Sequence, residues 1–242
     1  MNQTIKDIYN RKSVRVFRDE SITDEEKRII LESALQAPTA GNMTLYSIID
    51  VQDQELKNKL ADLCDHQPFI KDAPLVLLFV ADYQRWYDLF QHYCTESPKL
   101  DYADLILAGE DCMIAAQNAV VAAQSLGIGS CYIGDILENY EVNRELFNLP
   151  QYVLPYILLV FGKPTQQQMD REKPKRFDLE DIVYQNQYKQ KNIDELTSMI
   201  QNRIHKDDIE SYVQAFAKRK FYAEFREEMN RSVRAMLDSW MK

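Results

Sequence analysis

The sequence predicts a single α/β core followed by a helical C-terminal extension. Three observations carry this reading. The run LVLLFVA at residues 75–81 is apolar on both of its alternating faces, as a strand inside a sheet must be. Residues 112–134 contain no charged side chain, but they include Gln117, Asn118, Gln124 and Ser125 and end in a glycine turn, the pattern of a buried helix. After Tyr188 the apolar positions recur at helical spacing.

The elements follow in order. Thr4-x-x-Asp7 has the spacing of a capping box opening a first helix. In RKSVRVF, residues 11–17, the side chains Arg11, Ser13, Arg15 and Phe17 alternate with Lys12, Val14 and Val16, so the run is extended. Thr23-x-x-Glu26 is a second capping box, whose helix runs to about Ala37 and stops at Pro38. APTAGNMTLYSIIDV, residues 37–51, starts as a loop of small residues and becomes a strand near 47–51. A helix at 54–64 and a loop with Gln67 and Pro68 lead to the strand at 75–81. Residues 82–103, rich in Tyr, Trp and charge, read as a surface excursion with some helix. The long apolar helix covers 104–126, strands at 130–133 and 156–161 bracket a helix near 138–149, and the tail holds helices near 194–200, 209–217 and 223–237. The organisation expected is a core at 1–188 with an extension at 189–242 packed on it.

Composition excludes several classes. A chain of 242 residues with 45% hydrophobic and 28% charged side chains folds as an ordinary globular protein. A net charge of −9 argues against a nucleic-acid binder, which needs a basic face. Cys64, Cys94, Cys112 and Cys131 form no CxxC pair, and His66, His92 and His205 are far apart, so no metal site is expected. The opening MNQTIKDIYNRK lacks the apolar centre of a secretory signal. Polar residues within 112–134, with Asp111 and Asp135 at its flanks, argue against a membrane span. A cytoplasmic protein with reduced thiols is expected.

The basic residues are clustered. Arg11, Lys12, Arg15 and Arg18 make one island, Arg171, Lys173, Lys175 and Arg176 a second, and Lys218-Arg219-Lys220 a third. Compact cation clusters on an acidic chain suit a small anion such as a phosphate, although solvated surface charge gives the same spacing. Gly127-Ile-Gly129 fails as a dinucleotide fingerprint: the third glycine, Gly134, is five residues on instead of three, and the motif leaves a helix for a strand. Walker A, GxSxG and HExxH sequences are absent. Cys131 has no histidine with a claim to be its base and reads as a buried structural thiol; His66 reads as a surface or capping histidine. The segments left are suited to a flat phosphorylated ligand: RKSVR for phosphate, TAGN and YIG for close backbone approach to a ring, and KPKR for further cations.

In their order and separation these segments resemble the FMN-dependent nitroreductase family, and within it the NADPH-dependent oxygen-insensitive nitroreductase and flavin reductase group. RKSVRVF is similar to the family's phosphate-binding opening, APTAGN to its second flavin segment, and AAQNAVVAAQSLGIGSCYIGDI to its central helix and glycine turn. FGKP at 161–164, then KPKRF and YQNQY, resemble later landmarks. The likeness covers residues 4–188 well and the tail loosely.

The resemblance implies an α+β fold with a central mixed β-sheet flanked by helices, a long buried helix, and a homodimer with FMN at the subunit interface. By matching position it assigns Arg11, Lys12, Ser13 and Arg15 to the phosphate and pyrimidine edge, and Thr39, Ala40, Gly41 and Asn42 to the second segment. Gln67 comes from the loop before the core strand, Tyr132, Ile133 and Gly134 lie against the ring, and Lys173 and Arg176 complete the cations. Arg219 is a contact for the phosphate of NADPH. The implied activity is ping-pong transfer of electrons from NADPH or NADH through the flavin to nitroaromatics, quinones or free flavins, with no side chain as catalytic acid or base. The rival reading is a non-enzymatic flavin-binding or regulatory protein on the same fold. The chain departs from the family at Thr44, often glutamine, at Asp135, often glycine, and at Lys12, usually arginine.

Overall fold

A computed structural model describes residues 1–204 and 208–242; His205 lies outside the described residues. The chain forms two compact units, one of residues Met1–Arg171 with Glu228–Lys242, the other Glu172–Glu227. The boundary expected at residue 188 falls inside the second unit, and the last turns of the tail belong to the first.

In the first unit the elements are α1 (Gln3–Asn10), α2 (Asp24–Leu35), β1 (Tyr46–Asp50), α3 (Gln54–Leu63), β2 (Leu75–Asp82), α4 (Gln84–Tyr93), α5 (Tyr102–Ser125), β3 (Gly129–Ile133), α6 (Tyr140–Leu146), β4 (Val153–Gly162) and α7 (Gln166–Asp170). The second unit holds α8 (Leu179–Ile182), α9 (Ile193–Ile204) and α10 (Ile209–Lys220). Helix α11 (Glu224–Trp240) begins in the second unit and ends in the first.

The sheet has the order β1-β2-β4-β3, with every pair of strands antiparallel. Instead of a sheet mixed through its strands, the described residues show a single parallel pairing, the isolated bridge between Ser13 and Ser130. The period of two sorts each strand between two cores. Leu75, Leu77 and Phe79 of β2 face the side covered by α2 and α5, while Val76, Leu78 and Val80 face the side covered by α3. All eight residues of β2 are buried, as its uniformly apolar sequence requires.

Helix α5 is capped by Asp101, whose side chain accepts from the Tyr102 amide at 2.6 Å, and Asp104 reaches back to the Asp101 amide at 2.8 Å. It is long and apolar enough to cross a membrane by length and composition, yet 56% of its most apolar window is buried inside the protein. It ends at Gly127, whose φ of +72° turns the chain into β3.

Two further expectations change in the structure. The first helix is capped by Asn2, which accepts from the Ile5 amide at 3.0 Å, and not through Thr4 and Asp7; the Asp7 carboxylate instead accepts from Gln3 Nε2 at 2.8 Å. The surface reading of 82–103 holds only in part: Tyr93 and Tyr102 are exposed, but Tyr83 is buried and Trp86, Tyr87 and Phe90 of α4 pack against a cluster with Tyr152 and Trp240. In the tail, Trp240 is fully buried and its Nε1 donates to the Asp101 carbonyl at 3.0 Å.

Candidate functional site

Residues 11–17 lie as an extended run along the outer strand β3. The Val14 amide donates to the Ser130 carbonyl at 2.9 Å, which fixes the register. Val14 is buried over Gly129, where an added Cβ would stand 2.6 Å from a Val14 methyl, so only glycine permits this approach. Arg11, Ser13 and Arg15 alternate with Val14 along the run, and all three lie near Cys131. Its thiol is pushed up by burial, an effect opposed by Arg15, Ser13 and Arg11. The Arg11 guanidinium lies 5.4 Å from the centre of the Tyr132 ring, and that of Arg15 lies 5.7 Å from the ring of Phe69. The neighbour Lys12 turns elsewhere: its Nζ donates to the Met169 carbonyl at 2.7 Å and to the Arg171 carbonyl. Lys12 thus ties the run to the end of α7.

The second segment is a tight loop. Gly41 (φ +55°), Asn42 (+59°) and Thr44 (+53°) all adopt the left-handed conformation, which glycine and asparagine tolerate best. One side chain organises it. Asp111, 3% exposed on α5, accepts from Thr39 Oγ1, from the Ala40 amide at 2.9 Å and from the Leu45 amide at 3.0 Å. Thr39 Oγ1 accepts in turn from the Thr44 amide at 2.7 Å. Trp86 Nε1 donates to the Met43 carbonyl at 2.8 Å, and Arg85 to the carbonyls of Thr44 and Tyr46. Gly41 and Asn42 remain exposed at the tip.

At the end of β3, Ile133 is buried and Gly134 is exposed. A Cβ added to Gly134 would meet nothing within 4 Å. Gly134 opens a 3-10 turn, so its N–H is among those that a helix start leaves without an internal partner. Tyr132, on the opposite side of β3, donates to Gln117 Oε1 at 3.0 Å, and burial pushes its phenol up to about 12.

Gln67 arrives from α3. That helix ends through Asp65 and His66, both at positive φ, and the reversal sets Gln67 Nε2 2.8 Å from Asp135 Oδ2 and 2.8 Å from the Cys64 carbonyl. His66 itself is exposed, 3.8 Å from Asp62.

The remaining assigned cations belong to the second unit. Within it, Arg176 Nη1 donates to the Pro174 carbonyl at 3.1 Å, and the Arg219 guanidinium stands 5.5 Å from the Phe216 ring. Lys173 is half-buried in the same unit.

A model of the nitroreductase family matches residues 8–163, the stretch that contains the run at 11–17, the loop at 39–45, Gln67 and the β3 turn. The chain belongs to the nitroreductase family. An FMN reductase [NAD(P)H] from Bacillus subtilis is 36% identical over 205 residues, 83% of this chain and 80% of the relative. An NADPH-flavin oxidoreductase from Vibrio harveyi is 33% identical over 201 residues, 82% of this chain and 80% of the relative. The crystal structure of nitroreductase A from Vibrio parahaemolyticus superposes with a TM-score of 0.82 at 28% identity, covering 98% of each chain. The likeness in fold thus extends over 98% of the chain, well beyond the residues that the family model matches.

Sequence reasoning passed over Asp111 and Trp86, which shape the loop of the second segment. For Asp111 a signal existed: it is the acid that adjoins the uncharged stretch 112–134, and a carboxylate buried there needs donors from outside the helix. For Trp86 none existed, since a tryptophan beside charged residues reads equally well as surface.

Proposed function

We propose that this chain is an FMN-dependent NAD(P)H oxidoreductase of the nitroreductase and flavin reductase type. The observation that carries the reading is the gathering of Arg11, Ser13 and Arg15 around Cys131 of β3, with Gln67 and the unobstructed Gly134 at the end of that strand. The donor set fits FMN. Two guanidiniums and a hydroxyl suit a phosphate and an electron-rich ring edge. An open glycine with an uncommitted N–H suits the face of a flat ring, because no side chain holds the ring away.

Bound FMN supplies the chemistry that accepts a hydride from NAD(P)H and passes electrons to a second substrate. The chain's own residues bind and tune. Arg11 and Ser13 hold the phosphate. Arg15 holds the pyrimidine edge and stabilises negative charge there. Gly134 contributes its amide, and the Asp111-anchored loop with Thr39, Ala40, Gly41 and Asn42 contributes a preformed wall. Lys12 secures the run. On the resemblance alone, Lys173 and Arg176 enter as further phosphate cations, Tyr132 and Ile133 as ring contacts, and Arg219 as a contact for the 2′-phosphate of NADPH.

The working form we propose is a cytoplasmic homodimer acting on small-molecule acceptors, with no nucleic-acid or membrane partner. Support for the dimer comes from α5, which leaves Ile106, Leu107, Met113 and Ile114 exposed beside its buried face.

The test is the absorption spectrum of the purified protein. The proposal expects flavin bands at one FMN per subunit, bleached by NADPH without oxygen and restored by a quinone or nitrofuran. A colourless protein that takes up no FMN on reconstitution overturns it, and a yellow protein bleached by neither nucleotide identifies a flavin binder instead of an enzyme.

A further inference from the structure

Asp135 and Glu138 form an acidic pair behind the end of β3. Glu138 is 4% exposed, and its Oε1 is buried without a hydrogen-bond donor. The carboxyl lies within hydrogen-bonding reach of Asp135. Besides Asp135, acids face it from two other elements. Asp65 faces it from the end of α3, beside the neutral Cys64 thiol. Glu228 faces it from α11, itself paired with Arg231 at 2.8 Å, and that arginine also binds Glu141 at 2.8 Å. A buried carboxylate with no donor and three acidic neighbours is costly, and the arrangement is relieved when Glu138 keeps its proton and donates it to Asp135. Burial and these neighbours push Glu138 up to about 8.

The pair reaches the candidate site through Gln67. Both hydrogen bonds made by Gln67 Nε2 go to acceptors, Asp135 Oδ2 and the Cys64 carbonyl. The opposite amide orientation would set Oε1 against two acceptors, so only one orientation is permitted. Both amide hydrogens are consumed inside the protein, and Oε1 is the group that Gln67 has left to offer.

We propose that Glu138 is a positioning acid: its proton binds Asp135, and the Asp135–Gln67 hydrogen bond so fixed makes Gln67 present a carbonyl oxygen, an acceptor, to the N–H edge of the flavin. This rests on the function proposed above and adds a residue and a specificity to it. The protonated pair carries one negative charge. Loss of the proton sets two carboxylates side by side, one residue from Gly134, against an anionic ligand. The positioning therefore fails, and the charge turns repulsive, at mildly alkaline pH.

The experiment is the FMN dissociation constant of the purified protein, read by flavin fluorescence from about pH 6 to about pH 10, spanning the proton loss of Glu138. It compares the wild type with Glu138→Gln, which keeps a donor to Asp135 without a titrating proton, and Glu138→Ala, which keeps neither. The wild type is expected to lose about tenfold in affinity across the alkaline half of the range, the size of one added like charge nearby. E138Q is expected to lack that decline. E138A is expected to bind more weakly than E138Q throughout. The flavin's own protons titrate alike in all three, so the differences isolate Glu138. A parallel decline in wild type and E138Q, or equal affinities of E138Q and E138A, overturns the proposal while leaving the flavin site standing. A wild type that binds no FMN at any pH removes both.

Discussion

Asp111 of α5 accepts a hydrogen bond from the Ala40 amide at 2.9 Å, across 71 residues of sequence. This bond and its companions from Thr39 and Leu45 hold the TAGN loop on the helix that forms the centre of the core. Helix, loop and adjoining β1 therefore behave as one piece. Removing the carboxylate leaves two backbone amides and a hydroxyl without their acceptor. Asp111→Ala should cost about 3 kcal/mol or more, the scale for breaking a buried charged network. Urea denaturation measures this, and the FMN dissociation constant should rise with it. A variant as stable as the wild type would show that the loop holds itself.

Arg15 and Lys12 should separate in their effects. Arg15 lies with Arg11 and Ser13 near Cys131, whereas Lys12 is engaged with the carbonyls of Met169 and Arg171. Arg15→Ala should lower the flavin potential by about 30–60 mV, since a charge-assisted hydrogen bond is worth roughly 1.5–3 kcal/mol and about 30 mV corresponds to 1.4 kcal/mol for two electrons. Oxidised FMN should stay mostly bound. Lys12→Ala should weaken FMN binding with little change in potential, because it loosens the whole run. Potentiometric titration of both variants decides between these roles.

Stability should fall as pH rises through the neutral range. Glu138 is raised from 4.5 to about 8 in the folded protein, so between those values the folded state binds the extra proton. Folding is then progressively less favourable from about pH 4.5 to about pH 8, and level beyond, as linkage requires. The difference corresponds to at most roughly 5 kcal/mol at 1.36 kcal/mol per pH unit. Glu138→Gln should remove this slope. Chemical denaturation of both proteins at several pH values reads it without any flavin.

The exposed stripe of α5 gives a direct test of association. Ile106 is 60% exposed and Ile114 40% exposed on a helix whose other face is the core. Ile114→Glu should shift sedimentation from dimer to monomer and release FMN, while the core face, led by Cys112 and Ala116, stays intact. An unchanged dimer would move the interface elsewhere.

Arg219 stands in the basic last turn of α10 with Lys218 and Lys220. Arg219→Ala should raise the KM for NADPH by tenfold or more, about 1.4 kcal/mol or above, with NADH use nearly unchanged. Equal losses for the two donors would show that this turn does not read the 2′-phosphate.

The amino-acid sequence by itself determined the parts of this protein whose signals are local. Thr23 and Glu26 fix a helix start because a capping box needs only four neighbouring residues, and both of its hydrogen bonds are present. LVLLFVA specifies a buried strand because apolar side chains on both faces leave it no wetted side. The order of RKSVR, TAGN and YIG was enough to name the family, since the order of motifs is a property of the chain alone. Tertiary structure decided what depends on distant partners. The sheet's antiparallel order, the return of Trp240 to the cap of α5, and the pinning of the loop by Asp111 join residues between 25 and 139 positions apart. Gln67 and Asp135 are 68 positions apart, and nothing near either one indicates that the amide of the first would be oriented by the carboxylate of the second. A hydrogen bond between distant residues leaves no periodicity for the sequence to display. Its geometry exists only after the sheet and α3 have packed, when burial removes the water that would otherwise satisfy both groups.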